Sequence, residues 1–158
     1  MSNPHKRATF GSAVIYDDPA AALDWLERAF GFHRSMVIVD DQGRLAHAEM
    51  EYGDGYLMVG SKWNDTTEPP SGVGGKNTQT VHVQLEEDID AHCERARAAG
   101  ADILQAPEDQ FYGDRTYRAR DLGGHVWTFG QTVKAMTPDE WDAASPGLKT
   151  TMFEGKTL

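Results

Sequence analysis

The sequence predicts an α+β fold of two like halves, each a βαβββ module, together forming a curved mixed sheet around a cleft. Two observations carry this expectation. The first is an internal repeat. Asp17 to Phe32 reads DDPAAALDWLERAFGF, Glu86 to Ala101 reads EEDIDAHCERARAAGA, and laying Gly31 on Gly100 gives an offset of 69 residues. The same offset lays Ala22 on Ala91, Arg28 on Arg97 and, far from the helix, Gly55 on Gly124. Self-similarity at a fixed spacing marks a duplicated unit. The second observation is that both copies show the same order of patterns: a β-rich segment, a segment of helical period, then three short strand-like segments.

In the first copy, Thr9 to Tyr16 is β-rich. Asp18 and Pro19 open a helix as N-cap and first helical residue. Leu23, Leu26, Ala29 and Phe30 give that helix one apolar face, and Gly31 stops it. Met36 to Val39 reads as a strand, followed by a turn at residues 40–43. Leu45 to Tyr52 alternates, with Ala46, Ala48 and Met50 opposite His47, Glu49 and Glu51. A turn at residues 53–55 leads into a strand from Tyr56 to Gly60. Trp25, Trp127 and Phe129 are expected in the core. Residues 62–77 carry Pro, Gly, Ser and Thr without a period and read as a linker or a loop over a cavity. The Gly72-Val73-Gly74-Gly75-Lys76 stretch lacks P-loop spacing.

The second copy repeats the order. Val81 to Leu85 is a strand with Val81, Val83 and Leu85 opposite His82 and Gln84. Asp88 to Ala99 is a helix, and Asp102 to Gln105, Thr116 to Arg120 and Val126 to Gly130 are strands. Thr137-Pro138-Asp139-Glu140 has the form of a capping box for a short further helix. The organisation is thus one domain over residues 1–158: a first module at 8–61, a linker at 62–77, a second module at 78–131 and a C-terminal extension at 132–158.

Composition narrows the function classes. The 158 residues carry a net charge of −10 and no basic stripe, which argues against nucleic acid and anionic membranes as partners. Cys93 is the one cysteine, so no intramolecular disulfide forms. It falls within a helix and reads as a buried bystander. No run approaches the ~18 apolar residues of a membrane span. Met1 to Arg7 is polar and lacks the apolar stretch of a leader, so a cytoplasmic location is expected.

The segments DDPAAALDWLERAFGF, DIDAHCERARAAGA and YGDRTYRARDLGGHVWTFG resemble the first helix, second helix and closing hairpin of the vicinal oxygen chelate superfamily. That group includes glyoxalases, extradiol dioxygenases and bleomycin- and fosfomycin-resistance proteins. The resemblance spans about Thr9 to Gln131 and implies a ligand cleft and frequent pairing of chains, so a homodimer is expected. Metal-dependent members place a His seven residues before the Asp that opens each helix, and a Glu four residues after the hairpin Gly. Those positions map onto Gly11, Thr80, Val59 and Thr128, which form no divalent-metal set. The resemblance therefore implies no cofactor. His82 lies two residues past Thr80 on the same strand face, and becomes a metal ligand if an insertion near Glu86-Glu87-Asp88 shifts the register.

The remaining candidates are side chains suited to ligand contact or acid/base work. His47 and Glu49 share a strand face and are candidates for a catalytic base with its carboxylate. His82, Gln84, Trp63, Tyr112, Arg115 and Tyr117 are candidates for ligand binding, with Arg115 as a bidentate clamp and the rings as stacking area. His33, His92 and His125 are expected at the surface or in a second layer. Three readings of function follow: a metal-independent protein that holds a small, partly aromatic molecule, a metal-dependent lyase or dioxygenase, or a metal-free isomerase or lyase using His47 and Glu49.

Overall fold

A computed structural model describes residues 7–154. Strand β1 (Gly11–Ile15) runs into helix α1 (Pro19–Phe30), then β2 (His33–Val39), β3 (Leu45–Tyr52) and β4 (Gly55–Gly60). A 3-10 turn at Pro70–Val73 sits in the linker. The second module repeats the order with β5 (Val81–Gln84), α2 (Ile89–Ala98), β6 (Asp102–Asp109), β7 (Asp114–Arg120) and β8 (Val126–Thr132). Helix α3 (Pro138–Ala144) follows, opened by Thr137 and Glu140 in the expected capping box, and buries no side chain.

The strands form two separate four-stranded sheets in the orders β1-β4-β3-β2 and β5-β8-β7-β6. In each, the first strand pairs parallel with the last and the other pairings are antiparallel. Both sheets are mixed, and neither closes on the other.

Local chemistry explains the elements. The Asp18 side chain accepts from the Ala21 amide, and Gly31 ends α1 in a left-handed conformation at φ 71°. Asp88 caps α2 through the Ala91 amide. Each helix packs on the inner face of its own sheet, and the helices pack on each other. A single apolar cluster results, joining Leu23, Leu26 and Phe30 of α1 with Ile89, Cys93 and Ala96 of α2, and Met50, Leu57 and Val59 with Tyr117, Trp127 and Phe129. Trp25, Trp127 and Phe129 are core residues, as the apolar pattern predicts.

His92, expected at the surface or in a second layer, lies in the core. It is 1% exposed, because it occupies the i+3 position of the buried stripe Ile89, His92, Cys93, Ala96. Its Nε2 lies 3.1 Å from the Phe30 carbonyl and its Nδ1 2.6 Å from the Tyr117 hydroxyl. A carbonyl only accepts, so Nε2 carries the proton and Nδ1 accepts from Tyr117. Burial lowers the imidazole pKa from its ordinary value. The unfolded chain takes up a proton near pH ~6.5 while the folded chain does so only at lower pH. Stability from this group is therefore complete above about pH 6.5 and falls as pH drops through the window between the two values. Melting temperature is expected to decline from pH 7.5 to 5.5 in the native chain and to decline less in His92→Gln. Equal slopes for the two proteins would contradict this.

The duplication keeps an offset of 69 in the first strand and slips by one residue elsewhere. Val14 and Val83 stand opposite Val59 and Phe129, so the offset is 69 in the first strand but 70 in the last. The extra residue lies in the second hairpin: Glu51 pairs with Tyr56 across four residues, whereas Arg120 pairs with Val126 across five. Laying Gly55 on Gly124 is thus one residue out, and Val59 faces the core while Thr128 does not. A second insertion precedes α2, since the N-caps Asp18 and Asp88 are 70 apart.

Candidate functional site

The main cleft lies at the seam where the edge strands β1 and β5 face each other. Its volume is about 860 Å³, within the usual range of small-molecule sites. Phe10, Gly11 and Tyr56 line one wall, Gln79, Thr80, His82 and Gln84 the other, and Phe32, Tyr52 and Leu57 the floor. The Gln79 side-chain amide donates to the Ser12 hydroxyl at 3.0 Å and spans the seam. Tyr56 lies across Gly11, where a Cβ would come within 2.4 Å of the ring. A side chain at position 11 would drive the ring out of the cleft.

Alternation places the expected residues. Because Ala48, Met50 and Tyr52 turn toward the core, His47 and Glu49 lie on the outer face of their sheet. The structure brings the two together, with His47 Nε2 3.2 Å from Glu49 Oε1. Arg7 closes on the same carboxylate, its Nη2 at 2.7 Å from Oε1 and its Nε at 3.0 Å from Oε2. The hydrogen bonds from Arg7 outweigh burial and, with His47, hold the Glu49 carboxyl below its ordinary range. Glu49 is thus a committed anion and orients His47 as a hydrogen-bond acceptor. Neither residue lines the cleft.

His82 and Gln84 do line it, with His82 Nε2 3.4 Å from Gln84 Oε1. Gln84 in turn donates to Thr132, whose hydroxyl donates to Asp114. Trp63 is 61% exposed and borders an adjoining groove of about 500 Å³, with Thr67, Pro70 and Lys76. Tyr112 is a surface ring set edge-on to Phe111. Arg115 is occupied by Asp90 at 2.9 Å and Asp109 at 2.9 Å, so its guanidinium is no free clamp. Tyr117 does not line the cleft: it is wholly buried, stacked on Phe129 and bonded to His92. Burial raises the Cys93 thiol pKa, which leaves it a protonated core group.

Phe10, Tyr56 and Gln79 were not singled out by sequence, and Gly11 and Thr80 were named only as positions where the family's metal ligands map. The available signal was alternation: Tyr56 falls on the face opposite Leu57 and Val59. Arg7 gave no local signal, since its partner is 42 residues away.

His82 stands opposite Thr128 on the outer face, and the matching pair in the first module is Ala13 opposite Met58. One imidazole and one hydroxyl do not make a divalent-ion site. Among the described residues, no group of three or more His, Cys, Asp or Glu side chains is gathered to hold an ion. No helix among them is long and apolar enough to cross a membrane.

Two side chains tie the modules together beside the seam. Asp121 is 6% exposed and accepts from the Tyr16 hydroxyl at 2.6 Å and the Trp127 indole at 2.9 Å. Its other oxygen accepts from the Gly123 and His125 amides, each at 2.9 Å. His125 Nε2 donates to the Ile15 carbonyl at 2.7 Å.

Residues 10–129 match the family model described as the Glyoxalase/Bleomycin resistance protein/Dioxygenase superfamily. An uncharacterized protein of Mycobacterium tuberculosis strain H37Rv, Rv0887c, is 33% identical over 135 residues, covering 83% of this chain and 78% of that protein. Among solved structures, TioX from Micromonospora sp. ML1 is similar with a TM-score of 0.63 and 38% identity, over 82% of this chain and 100% of that one. TnmS3, an antibiotic binding protein from Streptomyces sp. CB03234, shares the fold with a TM-score of 0.59 and 22% identity, over 84% of this chain and 98% of that one.

Proposed function

The chain belongs to the glyoxalase/bleomycin resistance protein/dioxygenase superfamily, and from that premise we propose that it binds a small, partly aromatic molecule in the seam cleft, without a metal and without transforming it. The observation that carries this reading is the character of the cleft lining. It offers four rings, Phe10, Phe32, Tyr52 and Tyr56, and neutral hydrogen-bonding groups, Gln79, Thr80 and Gln84, beside the imidazole of His82 and the carboxyl groups of Asp54 and Glu86. Such a lining suits stacking and orientation. It does not bring together a nucleophile, a base and an oxyanion donor. The likeness in fold to an antibiotic-binding protein agrees with this reading.

The enzyme readings have less support. The isomerase reading needs His47 and Glu49 at the ligand, yet they lie outside the cleft and Glu49 is held by Arg7. The metal-dependent reading needs ligands that Ala13, Met58 and Thr128 do not provide.

Calorimetry in excess chelator against a panel of planar aromatic antibiotics tests the proposal. About one molecule is expected to bind per chain and to be recovered unchanged by mass spectrometry. Tyr56→Ala is expected to weaken binding by roughly tenfold, through lost stacking and area. Recovery of an altered compound, or binding only after a divalent ion is added, would overturn it.

A further inference from the structure

We propose that the cleft recognises its ligand through unpaired strand backbone, and that the ligand class is peptide-like: a compact molecule with secondary amides in an extended array. This rests on the binding reading above and names the chemistry of its ligand.

Within a strand, the N–H and C=O of one residue point to the same side, and the side alternates along the chain. The Tyr16 amide donates to the Gly60 carbonyl at 2.9 Å, so Tyr16, Val14 and Ser12 turn their backbone groups toward β4. Gly11, Ala13 and Ile15 then turn theirs to the seam. The Ile15 carbonyl confirms that direction by accepting from His125 in the other module. On the facing strand, the Leu85 amide donates to the Gly130 carbonyl at 2.7 Å. Leu85, Val83 and Val81 therefore bond to β8, and Thr80, His82 and Gln84 present their backbone groups to the seam.

β1 pairs only with β4, and β5 pairs only with β8. The seam-facing N–H and C=O groups of Gly11, Thr80, His82 and Gln84 have no partner among the described residues, and these four residues line the cleft. An unpaired strand edge is a template for one more strand. Thr80, just before β5, and His82 and Gln84 within it repeat at two-residue spacing, about 6.6 Å in extended chain, which is the spacing of alternate amides in an extended peptide. A planar aromatic hydrocarbon would leave these groups unpaired in a partly desolvated cleft, whereas a peptide-like molecule satisfies them. Phe10 and Tyr56 then receive alternate side groups. Gly11, without a side chain, leaves the opposite edge open to approach.

The test uses the whole chain with two capped tetrapeptides, acetyl-Trp-Val-Trp-Val-amide and its analogue N-methylated at both valines, and with 2-naphthol as an amide-free ring. Binding is followed by calorimetry and by backbone amide resonances. The first peptide is expected to bind at least tenfold more tightly than the N-methylated one, with the largest shifts at Thr80, His82 and Gln84 rather than Val81 and Val83. His82→Pro removes one seam-facing N–H without removing a ladder bond, a change an edge strand accepts. It is expected to weaken peptide binding roughly three- to tenfold beyond His82→Ala. Equal affinities for the two peptides, or shifts confined to the groove beside Trp63, overturn the proposal. If 2-naphthol binds in a Tyr56-dependent way while neither peptide does, the peptide-like class is overturned and the binding reading survives. If none of the three binds, and the antibiotic panel also fails, both fall.

Discussion

Asp121→Ala is expected to destabilise the fold by about 4 kcal/mol, the scale of breaking a buried charged network. For a chain of this size that corresponds to a fall in melting temperature of roughly 10 °C. The reason is the number of donors aimed at one carboxylate. The Tyr16 hydroxyl, the Trp127 indole and the Gly123 and His125 amides all end on Asp121. Alanine leaves the hydroxyl and the indole buried without an acceptor and removes the side-chain brace of the hairpin. Asp121→Asn is expected to fall between, because one oxygen still accepts from the turn while its NH₂ meets the indole donor. Asp102→Ala, at an exposed pair with Arg120, is the control and is expected to change stability by about 1 kcal/mol or less. A loss at Asp121 no larger than at Asp102 would refute this account.

Phe30→Ala is expected to cost about 3–5 kcal/mol, the range for deleting a buried aromatic ring. Phe30 is fully buried and packs near Trp25, Phe32, His92, Trp127 and Phe129, with ring centroids 4.8 to 6.3 Å away. Three of those rings belong to the other module. The variant is therefore expected to melt in a single transition at lower temperature, with both modules lost together. Two resolved transitions in calorimetry would mean that the modules fold independently and that their shared core is not cooperative.

Much of the fold was legible because it rests on short-range pattern. Asp18-Pro19 and Gly31 mark the ends of α1, and the alternation of Leu45–Tyr52 separates His47 and Glu49 from Ala48 and Met50. The same alternation put His82 and Gln84 on one face, and both line the cleft. What escaped depends on distance along the chain or on a count of one. The doublet Gly123-Gly124 offers two ways to match Gly55, and the sequence holds nothing to choose between them. Tyr117 was grouped with Arg115, two residues away on the same face. The strand carries Tyr117 into the core, while Arg115 lies near the sheet's end and reaches out to Asp90 and Asp109. Which strand edges meet at the seam is a matter of packing between modules, so Phe10 and Tyr56 gave no sign of standing near His82. Arg7 was read only as part of a polar terminus, though its hydrogen bonds are the largest cause of the lowered Glu49 carboxyl pKa.

The slip of the repeat from 69 to 70 has a consequence for how a guest would sit. The frame has an approximate dyad, yet the positions it relates are no longer chemically alike: Ala13 and Met58 on one side answer His82 and Thr128 on the other. One flank is oily and the other is wet. On the binding proposed above, a molecule with two unlike ends meets unequal energies in its two orientations, since Phe10 and Tyr56 stand on one wall of the cleft and His82 and Gln84 on the other.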